Sequence, residues 1–321
     1  MNVTGSVFRS VERRVAAAAA LVAATALITS CSSSPSSAAK VPGTTASAGT
    51  NTGASKTIDQ IIADEKPAAA SLIPHGSTAS TIKARGTLNV GGTQTAALFS
   101  LLDPTTGKIG GFDAALSQLL AKYIIGKPRT KLTNVTSATR EALLKNHAVD
   151  AVFATYTITP ERSKIVDFAG PYYMDGLALE VKKGNDSVHT LKDLKNKTVI
   201  TESGSTAATI IKKEAPTAKI LLFDTNTECL QALQQGRADA YILDQGILAG
   251  NASTNSDVKV LAATYSQEPY GIGLPPGDAG FKRLVNHWLQ KIEADGTWAK
   301  VWKNTIGTQV PGPAPAPPKI G

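Results

Sequence analysis

Cysteine is nearly missing from this chain. Two in 321 residues cannot build a disulfide framework or a zinc ribbon. Aromatic residues make up only 5%, and the three tryptophans, Trp288, Trp298 and Trp302, are spaced like core residues of C-terminal helices. No apolar run reaches the roughly 18 residues of a membrane span, so a polytopic membrane protein is excluded. The four histidines (His75, His147, His189, His287) are isolated from one another, a poor pattern for metal ligation. H-E-x-x-H, P-loop, G-x-S-x-G and G-x-G-x-x-G motifs are all absent, so no metal, cofactor or nucleophile site is expected. Lys and Arg exceed Asp and Glu, 33 to 25, but are scattered, which argues against a nucleic-acid surface. What is present is an apolar fraction of 42%, enough for a sizeable core and about two domains.

The N-terminus reads as an address. Arg9, Arg13 and Arg14 precede an apolar stretch from Val15 to Ile28, too short to span and suited to export. Ile28-Thr29-Ser30-Cys31 then resembles a bacterial lipobox, which implies diacylation of Cys31 as the mature N-terminus. Loss of residues 1–30 removes three Arg and one Glu, taking the net charge from +8 to +6. Residues 31–56 are a Ser/Ala/Gly/Thr/Pro tether that cannot bury apolar surface. Residues 309–321, with five prolines from Val310 onward, read as an exposed polyproline-like tail. The expected picture is a domain leashed by lipid to the extracytoplasmic face of the cell membrane.

Between these ends strands alternate with helices, which predicts α/β architecture with mostly parallel sheets. Residues 57–77 form a helical extension. Leu88–Val90 is a strand. Asp113 is read as the N-cap of a helix whose apolar face is Leu116, Leu119, Leu120, Tyr123 and Ile124. A second helix is expected from about Ser137 to Asn146, then a strand from Asp150 to Ala154. Further strands are expected at Leu177–Val181, Thr198–Ile200, Ile220–Phe223 and Ala240–Leu243. Thr225–Glu228 is a capping box, and Gly236 ends that helix.

Three features carry chemistry. In Thr155-Tyr156-Thr157-Ile158-Thr159-Pro160-Glu161-Arg162, Thr159 and Pro160 suit a helix start, where free N–H groups bind anions. Arg162 is misplaced on that dipole unless an anion sits beside its guanidinium fork. Glu202-Ser203-Gly204-Ser205-Thr206 is a second strand-to-helix turn with free N–H groups. Asp244 ends an apolar strand, where open α/β sheets bind ligands. It either holds an ammonium group or caps the next helix. Together they offer a cation and N–H donors for a carboxylate, and an acid for an amine: the chemistry of a free α-amino acid.

Gly111-Phe112-Asp113, the run Val152 to Arg162, and Val166-Asp167-Phe168-Ala169-Gly170-Pro171-Tyr172-Tyr173 resemble family 3 of the bacterial extracellular solute-binding proteins, polar amino-acid receptors of ABC importers. The resemblance spans about residues 84–306. Within the family it is most similar to actinobacterial glutamine/glutamate-binding lipoproteins. It implies a type II periplasmic-binding-protein-like fold, two α/β lobes joined by two hinge strands. Lobe 1 would be 78–178 plus 265–308 and lobe 2 179–264, with hinges near Ala178-Leu179-Glu180 and Tyr265 to Pro269.

By the same resemblance Arg162 meets the ligand α-carboxylate with N–H groups of Thr157 and Thr206. Asp244 takes the α-ammonium with the Thr157 hydroxyl and the Thr155 carbonyl. Ser205 and Thr93 join the candidate ligand-binding set. Ser137 and Arg140 match the branch that grips a distal carboxylate, which favours glutamate over glutamine or aspartate. Glu202 stands where glutamine-binding relatives have Lys. Thr155 replaces the usual Gly, and Ala115 an acidic residue. Cys229 reads as a small buried apolar residue; its partner position is Ile200, so no disulfide is expected. The implied function is non-enzymatic capture of a polar amino acid by a monomer for an ABC permease. A sensor lipoprotein would carry the same site. Cyclohexadienyl dehydratases share fold and loop, with Glu202 the one acid free for such chemistry.

Overall fold

The structure, a computed structural model, describes residues 56–310 and 312–321. The signal segment, Cys31 and all but the last residue of the tether lie outside them. Among the described residues no helix is long and apolar enough to cross a membrane.

Helix α1 (Ile58–Asp64) opens with a Thr57–Gln60 capping box and buries Ile61 and Ile62. Each such buried aliphatic side chain contributes roughly 1.5–3 kcal/mol. Its C-cap Glu65 pairs with Lys291 at 3.0 Å, so the extension is fastened to the main body. Helix α2 (Thr78–Arg85) ends at Gly86 and leads into strand β1 (Leu88–Gly92). A small antiparallel sheet of β2 (Thr95–Ala96), β3 (Ser100–Leu102) and β4 (Ile109–Gly110) follows. Helix α3 (Phe112–Ile125) buries Leu116, Leu119, Leu120, Tyr123 and Ile124, the face its periodicity predicts. Its N-cap is Gly111, not Asp113, because the Asp113 carboxylate is turned inward to other partners. Strand β5 (Thr130–Asn134), helix α4 (Arg140–Lys145), strand β6 (Ala151–Val152) and strand β7 (Asp167–Asp175) complete this part of lobe 1. Helix α4 starts three residues later than expected, since the Thr139 hydroxyl caps a turn by accepting the Thr136 N–H at 2.9 Å. The segment after Pro160 is a 3₁₀ turn, Arg162–Lys164, rather than a helix, so no macrodipole acts there.

Lobe 2 contains β8 (Leu177–Lys182), β9 (Thr198–Glu202), α5 (Thr206–Glu214), β10 (Lys219–Phe223), α6 (Asn226–Gln234), β11 (Ala240–Asp244), α7 (Gln245–Thr254) and β12 (Val258–Val260). The chain then returns through β13 (Glu268–Leu274) to α8 (Ala279–Ala294) and α9 (Thr297–Asn304) on lobe 1. The two large sheets have orders β5-β1-β6-β13-β7 and β10-β9-β11-β8-β12. Both are mixed rather than mostly parallel. β1 with β5 and β6, and β9 with β10 and β11, are parallel; the strands flanking the crossings run antiparallel to their neighbours.

Ala178-Leu179-Glu180 lies inside β8, paired with Leu243, Ile242 and Tyr241, and so is not a connector. The sheets change at Gly176, between β7 and β8. A Cβ there would lie 2.8 Å from the Ser266 carbonyl of the returning segment, so the two crossings run pressed together. The C-terminal segment is not free either. Gly321 N–H donates to the Gly170 carbonyl at 3.1 Å, and Ala314 and Ile320 pack on the main core.

Candidate functional site

The carboxyl ends of β6, β9 and β11 converge between the lobes. Two small adjoining cavities share Ser137, Arg140, Thr155, Glu202 and Ile247. The smaller also takes in Thr157, Arg162, Ser205, Thr206 and Asp244; the larger adds Thr93. All ten candidate residues therefore line one composite cleft.

Arg162 is only 7% exposed. Its guanidinium donates to the Thr157 carbonyl at 2.8 Å and, across the cleft, to the Gly204 carbonyl at 2.9 Å. Glu141 lies 3.8 Å from its Nε. Facing it, Ser205 occupies the N-cap of the nine-residue α5 but makes no capping bond, because its hydroxyl turns back to the Glu202 carbonyl at 2.7 Å. The first N–H groups of α5 are thus left to bind an anion.

The opposite charge gathers close by. Asp244 is 6% exposed, its Oδ1 has no partner, and its side chain does not cap α7. Burial, and then the neighbouring Asp175 and Glu268, push its carboxyl well above the usual range. Asp175 accepts from Tyr270 Oη at 2.9 Å and from Gly246 N–H at 3.1 Å, and burial raises it to about 6. Glu268 accepts from the Thr206 hydroxyl at 2.9 Å and the Ser266 hydroxyl at 2.6 Å. A buried acid with an unmade bond beside two further carboxylates is strongly in need of a cation.

Arg140 is a buried residue, 3% exposed, and not a solvated helix position. Its Nη1 donates to the Ala154 carbonyl at 2.7 Å, its plane covers the Tyr156 ring at 3.9 Å, and its Nε is unpartnered. Burial, and then Arg162, pull it down to about 10, so it stays charged at neutral pH. Glu202, from lobe 2, accepts the Ser137 hydroxyl of lobe 1 at 3.1 Å. Burial lifts its carboxyl to about 7 against the opposing effect of Ser137 and Arg140.

Sequence reasoning missed the supports. Asp113, fully buried, accepts the Thr155 N–H at 2.8 Å and the Tyr172 hydroxyl at 2.7 Å. This bond holds Thr155 at φ 44°, a left-handed conformation that costs a β-branched residue strain. Asp175 and Glu268 were also missed; two acids at the ends of paired strands were the available signal. Cys229 is a buried free thiol.

A two-lobed α/β chain with a charged cleft at its strand ends is a type II periplasmic-binding-protein-like fold. Residues 88–308 match the model of bacterial extracellular solute-binding proteins, family 3, and the chain belongs to that family. It is 44% identical over 198 residues to the glutamine-binding protein of Geobacillus stearothermophilus, covering 61% of this chain and 75% of that one. It is 32% identical over 234 residues to the glutamate-binding protein of Corynebacterium glutamicum, covering 69% and 79%. Among solved structures, an ancestral amino acid-binding protein described as a precursor of cyclohexadienyl dehydratase superposes with a TM-score of 0.66. It is 34% identical, with 72% of this chain and all of that chain covered.

Proposed function

We propose that this protein captures a free polar amino acid outside the cytoplasmic membrane, as a monomer, and delivers it to an ABC permease. The observation that carries the reading is the unpartnered buried carboxylate of Asp244 in one cavity with Arg162 and the uncapped start of α5. These are the complements of an α-ammonium and an α-carboxylate held at a fixed separation. In this reading Arg162, with the N–H groups of Thr157 and Thr206, takes the carboxylate. Asp244, with the Thr157 hydroxyl and the Thr155 carbonyl, takes the ammonium. Relatives that bind glutamine and glutamate point to the same ligand class. Thermal-shift screening against the twenty amino acids tests this: glutamine or glutamate should raise the melting temperature, and silence from all twenty would refute it.

Cys31 attaches the chain to the membrane in this proposal. Cys31→Ser should move the protein from the membrane fraction to the medium or periplasm, and an unchanged membrane fraction would remove the anchor. A sensor that reports amino-acid levels would carry the same cleft, and loss of uptake on permease deletion distinguishes transport from it. Glu202, a cleft acid raised to about 7, and the likeness to a structure described as a precursor of cyclohexadienyl dehydratase favour a dehydratase as the alternative reading. Aromatic product from prephenate or arogenate would establish that reading.

A further inference from the structure

We propose that the distal half of the cleft selects a side chain ending in an uncharged carboxamide, and that Glu202 is the residue that excludes the matching carboxylate. This rests on the amino-acid-binding reading above and reverses the order expected from Ser137 and Arg140 alone.

The argument is a charge balance. Arg162 and Asp244 answer the two charges every α-amino acid carries. The remaining buried charges on the shared wall of the two cavities are one cation, Arg140, and one anion, Glu202. They come from opposite lobes, Arg140 on α4 and Glu202 at the end of β9. Each keeps bonding capacity: Arg140 Nε is unpartnered, and Glu202 Oε1 accepts no hydrogen bond from the described residues, its Oε2 being bonded to Ser137.

A carboxamide fits both. Its carbonyl accepts from a guanidinium and its amide donates to a carboxylate. A distal carboxylate would meet Arg140 favourably but would lie against Glu202, with Asp224 on the same cavity wall adding more negative charge. A distal ammonium or guanidinium would suit Glu202 and lie against Arg140. Either charged side chain leaves a like-charge contact in a closed cleft, and an apolar one leaves both groups unpaired. Like-charge juxtaposition of this kind discriminates strongly between ligands.

Calorimetric titration at pH about 8.5, above the value of about 7 to which burial raises Glu202 and so with its carboxylate ionised, of each amide against its own acid, glutamine with glutamate and asparagine with aspartate, and of arginine, tests the proposal. In wild type the better amide should bind about thirty-fold or more tighter than its acid and than arginine. In Glu202→Gln, checked for folding by thermal unfolding, that ratio should collapse to within about threefold or invert, because Arg140 then meets the acid unopposed. A wild type that prefers the acid or arginine, or a folded Glu202→Gln protein that keeps the wild-type ratio, overturns it. If Glu202→Gln does not fold, the wild-type order decides. If no amino acid titrates at all, the amino-acid reading itself fails; binding in the wrong order defeats this inference alone.

Discussion

The guanidinium of Arg162, carried by lobe 1, donates to the carbonyl of Gly204 in lobe 2 at 2.9 Å. A Cβ on Gly204 would lie 2.8 Å from the Ser137 carbonyl and 2.9 Å from Ala138 Cα, both backbone atoms of the opposite lobe. Gly204 also has a φ of +76°. The lobes therefore meet at a point where any side chain would wedge them apart.

Gly204→Ala should accordingly obstruct closure. The left-handed conformation costs about 1–2 kcal/mol in any arrangement of the lobes, a loss the fold can absorb. Ligand affinity should fall about tenfold or more, and small-angle scattering should show no contraction on adding amino acid. Contraction and affinity equal to wild type would show that the Gly204 contact does not limit closure.

Arg162→Ala and Asp244→Ala each leave one ligand charge unanswered in a partly desolvated cleft. Removing one partner of such a pair costs about 2–5 kcal/mol, roughly thirty-fold to several thousand-fold in affinity. Titration calorimetry on proteins shown to be folded by circular dichroism measures this. A folded Arg162→Ala protein with wild-type affinity would remove Arg162 from the ligand site.

Thr155 offers a test in the opposite direction. Its φ of 44° strains a β-branched residue by about 1–3 kcal/mol, whereas glycine adopts that conformation freely at a smaller entropic cost. Thr155→Gly should stabilise the protein by about 1 kcal/mol, or roughly 2–4 °C in melting temperature. Asp113→Ala should destabilise it by about 1–3 kcal/mol, because the Thr155 N–H and Tyr172 hydroxyl lose their acceptor. Denaturant titration of both variants would check these signs.

Glu180 predicts a pH dependence. It is fully buried in β8, one oxygen bonded to Asn251 at 3.3 Å and the other unpartnered, and burial raises it from 4.5 to about 8. Between those values the folded chain holds a proton that the unfolded chain has released. Stability therefore falls as pH rises from about 4.5 to about 8, and levels off above. Glu180→Gln keeps the neutral form at every pH and should flatten that decline, on the order of a few kcal/mol. Urea unfolding at pH values of about 5, 7 and 8.5 would show it; parallel curves for wild type and variant would rule it out.

Local signals made several elements readable. The α3 face and the Thr225 capping box depend on residues three or four apart, and both stand as expected. That Arg162, Glu202 and Asp244 line one cavity was readable because loops after strands meet at one sheet end; Ser137 and Arg140 entered only through the family resemblance. What escaped depends on partners distant in sequence. The inward turn of Asp113 is decided by Tyr172 and Thr155, and no spacing announces it. Composition suggested a free proline tail, but Gly170 and Asn286 hold its end. Gly176, not Ala178, marks the change of sheet because only the returning segment makes that position crowded.

Strand β13 lies between β6 and β7 in the first sheet, yet it reaches the sheet only after lobe 2 has been traversed. During synthesis lobe 2 is an uninterrupted stretch and can assemble as soon as it emerges. Lobe 1 must wait with β6 and β7 lacking their common neighbour until residues 268–274 arrive. The order of assembly is thus written into the connectivity: the inserted lobe can finish before the lobe that hosts it.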